Sequence, residues 1–305
     1  MIVSIDTSNY TTSVAVYDGE KIVQAKKMLT VKSGERGLRQ SDAVFQHTVN
    51  MPELINSFDF KDIQAVGVST RPRNIDGSYM PCFLVGENTA NAVAKTNNVP
   101  LYKTSHQVGH ILAALYSADL LGLIYQPFIA FHLSGGTTEA LLVKPDDNEI
   151  IRVEIISQSL DLKAGQAIDR TGIMLGLKFP CGKELDRLSA ASGAEFKIKP
   201  SMIGCDCSLS GVENKAKKMI ADNCSKEDIS KFVLTYIAAT VDKMLECITG
   251  SYGTLPIVFS GGVSSNSLLR STIKQKYNAY FAQPEFSLDN AAGVAVYAAL
   301  KNGLI

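Results

Sequence analysis

The chain has no apolar run approaching the roughly 18 residues that cross a bilayer, no C-x-x-C pair, no low-complexity linker and no excess of either charge. Each absence closes off a class of function. Without a spanning run, membrane insertion is not expected. No basic region with a cleavage site precedes the first apolar stretch, so the expected location is cytoplasmic. The six cysteines, Cys82, Cys181, Cys205, Cys207, Cys224 and Cys247, suggest neither a zinc ribbon nor a disulfide framework. They read as free thiols, with Cys205 and Cys207 the one pair worth watching. Thirty basic residues balance thirty acidic ones, whereas a protein that grips a nucleic-acid backbone alone usually carries a basic surplus. The local basic clusters, Lys26-Lys27-Lys32-Arg36-Arg39, Arg71 with Arg73, and Lys215 with Lys217-Lys218, read as solvated faces.

What is present begins with a duplication. Residues 2–17 have a degenerate second copy at residues 128–143. The first copy runs from an apolar strand at 2–5 through the polar turn Asp6-Thr7-Ser8-Asn9-Tyr10-Thr11-Thr12 to a strand at 14–17, then a turn and a strand at 21–25. The second repeats the order at 128–133, Ser134-Gly135-Gly136-Thr137-Thr138, 140–143, a turn at 145–148, and 150–156. Alternating β-branched residues bounded by Gly, Asp and Asn clusters mark hairpin strands. Two such hairpins supply two loops rich in N–H and hydroxyl groups, which suits a phosphate-bearing ligand.

Elsewhere the periodicities predict helices at 41–58, 84–96, 164–175, 183–192 and 226–248, strands at 63–69 and 256–260, and a closing helix at 289–300. Residues 197–210 read as irregular. Strands alternating with helices in two similar halves make the chain α/β, and 305 residues with 46% hydrophobic content can fill two lobes.

Three motifs carry the candidate chemistry. His106 and His110 stand one helical turn apart behind the N-cap pair Thr104-Ser105, so both rings can reach one metal, and Gly109 between them permits close approach of another segment or a ligand. Asp289, at another helix start, offers a third ligand. Gln107 stands where zinc proteases of the H-E-x-x-H type carry their glutamate, which argues against proteolysis. The second motif, Leu133-Ser134-Gly135-Gly136-Thr137-Thr138, exposes consecutive N–H groups to phosphate oxygens. The third, Ser260-Gly261-Gly262-Val263-Ser264-Ser265-Asn266, turns a buried strand into a helix, with Asn266 able to read a base or ribose edge.

In this order and number the motifs resemble the tRNA N6-threonylcarbamoyladenosine transferase family, called TsaD in bacteria and once labelled O-sialoglycoprotein endopeptidases or glycoproteases. The resemblance runs over nearly the whole chain. It includes Asp6-Thr7-Ser8, His47, His106 with His110, Ser134-Gly135-Gly136, residues 165–169, Pro180 with Gly182, Ser208-Leu209-Ser210-Gly211, residues 261–270 and Asp289-Asn290-Ala291-Ala292.

The resemblance implies a two-lobed actin, sugar kinase and Hsp70-like (ASKHA) fold with duplicated mixed-sheet domains: an N-terminal lobe at 1–105, a C-terminal lobe with the nucleotide and metal site at 106–288, and a helix at 289–305 packing back at the lobe junction. It further implies metal-dependent transfer of a threonylcarbamoyl group from threonylcarbamoyl-AMP to N6 of the tRNA adenosine beside the anticodon, with no protein nucleophile. By matching position, His106, His110 and Asp289 are the implied ligands of one divalent metal, iron or zinc. His132 is either a fourth ligand or a core-facing strand residue. His132, Leu133, Ser134, Gly135, Gly136, Asp169, Gly182 and Asn266 are the implied adenylate contacts. The implied partners are tRNA, a TsaB-like paralogue docking through the N-terminal lobe, and a TsaE-like ATPase.

The chain also departs from the family. Asn9, Tyr10 and Thr11 replace a first-loop stretch that carries two acids, Thr137 follows Ser-Gly-Gly, Glu139 replaces glutamine, Gln166 replaces glutamate, and Arg71-Pro72-Arg73-Asn74 replaces a Gly-Pro-Gly turn. A divergent paralogue with another carbamoyl or acyl acceptor, and a catalytically silent nucleotide-binding scaffold, are therefore the alternatives. A sugar kinase needs a carboxylate base over its acceptor, and the second hairpin loop has no acid before Glu139.

Overall fold

The computed structural model describes residues 1–8, 10–31, 38–287 and 291–305. Two five-stranded sheets among these residues share one order, which establishes the duplication read from the sequence. The first is β3-β2-β1-β4-β5, formed by β1 (Ile2–Asp6), β2 (Thr11–Tyr17), β3 (Ile22–Met28), β4 (Ala65–Arg71) and β5 (Leu101–Ser105). β1 pairs antiparallel with β2 and parallel with β4, and β4 pairs parallel with β5. The second sheet repeats this as β8-β7-β6-β11-β12 from β6 (Phe128–Leu133), β7 (Thr138–Asp146), β8 (Ile150–Gln158), β11 (Ile257–Ser260) and β12 (Ala279–Phe281). Between β8 and β11 lies the short hairpin β9 (Ser201–Ile203) and β10 (Asp206–Ser208). Residues 197–210 were expected to be irregular; three-residue strands give too few alternations to be read.

Tertiary contacts divide the chain into two compact units. One is Met1–Tyr125 with Pro145–Val153 and Glu285–Ile305; the other is Gln126–Lys144 with Glu154–Pro284. The sequence reading set its lobe boundaries at residues 105 and 288. Helix α3 (His106–Ser117) packs on α9 (Ala292–Lys301) in the first unit. Both histidines of the pair therefore belong to the N-terminal unit.

In the first unit, α1 (Gln40–Ile55) and α2 (Phe83–Asn97) cover one sheet face, burying Ile5, Val14, Met51, Leu54, Val66, Val68 and Ala90 together. The opposite face receives α9 through Ile2, Tyr17, Ala65, Ala295, Ala298 and Ala299. Small residues let this helix lie directly on the strands: a Cβ on Gly67 would stand 2.8 Å from the Val294 carbonyl oxygen. At about 1.5–3 kcal/mol per fully buried large aliphatic side chain, these contacts hold the strand ends that carry the site.

The second unit is built on α7 (Lys226–Tyr252), whose apolar positions from Ile229 to Ile248 are buried on several sides. Around it stand α4 (Ala164–Met174), α5 (Gly182–Ala191), α6 (Ser210–Ala221) and α8 (Ser267–Lys274). Phe131, Phe259 and Phe281 stack across the three strands β6, β11 and β12 at 4.9 and 4.8 Å between centroids. The expectation of free thiols is overturned at one pair: Cys205 is bonded to Cys247 of α7, with 5.4 Å between Cα atoms. Cys207, the neighbour watched in the sequence, is sealed in the core, and burial pushes its thiol up to about 11. No helix among the described residues is long and apolar enough to cross a membrane.

Candidate functional site

In the first unit the polar groups gather where β1 and β5 end. Asp6 closes β1 with 1% of its surface exposed. Its Oδ1 accepts from the Ser8 amide at 2.7 Å, and its Oδ2 accepts from His106 Nδ1 at 2.8 Å. Burial pushes this carboxyl upward, but the facing His106 ring and the Ser8 amide outweigh it and hold Asp6 below the usual carboxylate range. β5 runs into α3 without a loop, so His106 starts the helix while Ser105 caps it, accepting from the Val108 amide at 3.3 Å. One turn on, His110 brings its ring to 4.2 Å from that of His106, at 72° between planes. The close approach anticipated at Gly109 is made by α9: a Cβ on Gly293 would lie 1.7 Å from the Gly109 carbonyl oxygen.

Two imidazoles so close, one of them held by a carboxylate, form a donor set that fits a transition metal. Among the described residues no group of three or more His, Cys, Asp or Glu side chains gathers around one point. Asp289, the expected third ligand, lies outside the described residues.

His47, on α1, is fully buried. Its Nδ1 meets Thr12 Oγ1 at 2.8 Å, and Asn50 donates to the same hydroxyl at 3.3 Å. Among the described residues its Nε2 finds no hydrogen-bond partner, and burial lowers its pKa to about 4. The sequence signal for this cluster was one histidine in a helical apolar stretch, which assigns no partner.

In the second unit, Ser134 shapes its own loop. Its hydroxyl accepts from the amides of Gly136 and Thr137 at 3.3 and 3.1 Å. Gly135 and Gly136 each have nothing within 4 Å of where a Cβ would stand, so backbone is presented without side-chain cover. The first turn of α4 docks on the loop: the Gly165 amide donates to the Ser134 carbonyl at 3.1 Å, and a Cβ on Gly165 would lie 2.6 Å from Gly135 N. Gln166 accepts from the Lys163 amide at 3.2 Å, satisfying the N–H at the start of α4.

Asp169 of α4 accepts from the Cys181 amide at 2.8 Å, and burial pushes its carboxyl upward. Gly182 begins α5, with only the Ile168 side chain at 3.9 Å from its notional Cβ. Leu133 is wholly in the core, and His132 on the same strand meets Ser260 Oγ through Nδ1 at 3.1 Å. Asn266 caps α8, accepting from the Leu269 amide at 2.9 Å, and donates to Asp186 Oδ1 at 2.7 Å. Asp186 also accepts from the amide and hydroxyl of Ser267. The sequence reading missed Asp186, which looks like one more acid in an exposed helical face. Gly261, at φ +88°, makes the turn before α8 possible because a Cβ there would stand 2.3 Å from the Leu133 carbonyl oxygen.

With this geometry in place, the family model described as TsaD, tRNA N6-adenosine threonylcarbamoyltransferase, matches residues 26–296. Among solved structures, component A of (R)-2-hydroxyglutaryl-CoA dehydratase from Acidaminococcus fermentans is 15% identical. The match covers 99% of this chain and 98% of that one, with a TM-score of 0.57. HypF from T. kodakarensis is 14% identical with a TM-score of 0.60, over 99% of this chain and 47% of that one. A ROK hexokinase from Thermus thermophilus is 13% identical with a TM-score of 0.52, over 98% of each chain. At such identities these likenesses show the fold alone, and it is the duplicated α/β fold expected from the sequence.

Proposed function

This chain belongs to the TsaD family of tRNA N6-adenosine threonylcarbamoyltransferases, and from that premise we propose that it transfers a threonylcarbamoyl group from threonylcarbamoyl-AMP to N6 of the tRNA adenosine next to the anticodon. The observation that carries the reading is the His106 and His110 pair at 4.2 Å with Asp6 behind it, at the positions where the family resemblance puts the metal.

His106 and His110 would hold one divalent ion, iron or zinc, with Asp289 as the third ligand. When bound, the ion supplies Lewis-acid polarisation of the carbamoyl group. The chain's own residues do the rest by positioning. The Gly135-Gly136 backbone, open on the side a Cβ would occupy and beside the N-terminal turn of α4, would receive the phosphate of the adenylate. Gly182 leaves space beside Asp169 for a ribose or base, and Asn266 and Asp186 brace the turn into α8. In the transfer, the adenosine amine forms a C–N bond to the carbamoyl carbon and loses one proton. The C–O bond to the phosphate breaks, and AMP leaves with the electron pair. No protein nucleophile is required, so orientation and charge stabilisation supply the acceleration.

A zero net charge gives the chain little hold on tRNA by itself, so partners belong to the proposal. A TsaB-like paralogue would dock on the first unit, where Phe45 and Val49 stand one turn apart on α1 at 69% and 58% exposure, and a TsaE-like ATPase would complete the assembly. Reconstitution with both partners, tRNA and preformed adenylate should yield threonylcarbamoyladenosine by nucleoside mass spectrometry, and His110→Ala should abolish it.

One observation favours a second reading, a divergent paralogue with another acceptor. Tyr10 and Thr11 bring no acid to the first loop, and the Asp6 carboxylate at its start is already committed to Ser8 and His106. Adenylate binding without any modified adenosine in the complete mixture would select that reading over tRNA transfer.

A further inference from the structure

Asp6 ends β1, His106 begins α3 where β5 ends, and the parallel register of β1, β4 and β5 brings those two ends to the same side of the sheet. The backbone of His106 is fixed by this join, but its ring could still rotate. The Asp6 carboxylate holds the ring through Nδ1, and Phe83 and His110 lie edge-on against it. Asp6 is held on both oxygens, by the Ser8 amide at 2.7 Å and the His106 ring at 2.8 Å. Ser13 lies directly across the β1–β2 pair from Asp6, yet among the described residues its hydroxyl makes no hydrogen bond. The Asp6 lone pairs are thus directed to the loop and to the ring, not to the cross-strand Ser13.

A carboxylate accepts and does not donate, so the proton between the two groups belongs to His106 Nδ1. In a neutral imidazole the lone pair then lies on Nε2, the atom a metal would take. We propose that Asp6 is a positioning residue: through Oδ2 it fixes the tautomer and ring orientation in which His106 can share an ion with His110, and through Oδ1 it ties the first loop to that geometry. The proposal rests on the metal reading above, and it gives the one first-loop acid kept in this chain a role distinct from acceptor chemistry. Outer carboxylates of this kind typically change metal affinity by about 10–100-fold.

The test uses the full chain stripped of metal and titrated with zinc and cobalt(II) against a competing chelator. Asp6→Ala should weaken binding about 10–100-fold, Asp6→Asn should weaken it less because the amide oxygen still accepts from Nδ1, and Ser13→Ala should leave it unchanged. A second readout needs no metal. Nitrogen-15 spectra of the histidine rings should show the Nδ1-protonated tautomer for His106 in the wild type and the Nε2-protonated one in Asp6→Ala. Wild-type affinity in both Asp6 variants, or an unchanged His106 tautomer, overturns the proposal. A wild type that binds neither ion removes the metal reading instead, and the tautomer spectra still decide whether Asp6 sets the ring. If Asp6→Ala fails to fold, the same two measurements on Asp6→Leu, which fills similar space without an acceptor, decide.

Discussion

His47 illustrates how a single side chain can record the interior it occupies. Wholly buried against Thr12 and Asn50, it is held neutral by loss of hydration, with its pKa lowered from 6.5 to about 4. Between those two values the unfolded chain binds a proton that the folded chain refuses. Stability from this group is therefore fully present above pH 6.5 and falls as the pH drops towards 4, by on the order of a few kcal/mol. His47→Gln, which cannot titrate, should flatten the fall of the urea midpoint between pH 7 and 5. An equal slope in wild type and variant would show that His47 does not carry it. The family resemblance flagged this residue, but its partners come from strand β2, far away in sequence, so only packing could supply them.

At the scale of elements, the two glycine turns separate fold from ligand. Gly165 is required by the fold, since a Cβ would press into the Gly135 backbone, whereas Gly135 itself faces open space. Gly165→Ala should cost about 1–3 kcal/mol of stability by overpacking and weaken nucleotide binding with it. Gly135→Val should melt like the wild type without ligand, yet lose the stabilisation that AMP gives, which is about 2.7 kcal/mol at a hundredfold excess over Kd. A melting shift with AMP that survives Gly135→Val would place the phosphate elsewhere.

The elements themselves were unequally legible. α1, α2, α4, α5 and α7 lie within a few residues of the segments that announced them, because the residues each buries recur at helical spacing. α6 was missed, since Val212 and Ala216 alone are buried among its lysines. β5 and β12 were missed as well: one runs straight into a helix, and the other is three residues long.

For the whole molecule, the exposed apolar pair on α1 bears on assembly. Phe45→Glu with Val49→Glu should release a same-fold partner in size-exclusion chromatography while leaving the AMP melting shift intact, because neither residue touches the buried α1 face formed by Ala43, His47, Met51 and Leu54. Retained association would move the partner surface to another face, with the exposed Leu84 of α2 the next to test.

The sequence by itself determined the duplicated α/β plan, the histidine pair one helical turn apart and the glycine turns, because hydrophobic period, turn chemistry and helical spacing are local properties. Tertiary structure alone decided which unit holds α3, that Cys205 bonds Cys247, that Asp6 faces His106, and that Asn266 is braced by Asp186. Each of these joins residues separated by tens of positions or more. Their meeting depends on the parallel register of strands and on where small residues such as Gly67, Gly109 and Gly293 let helices approach, and no local pattern encodes that.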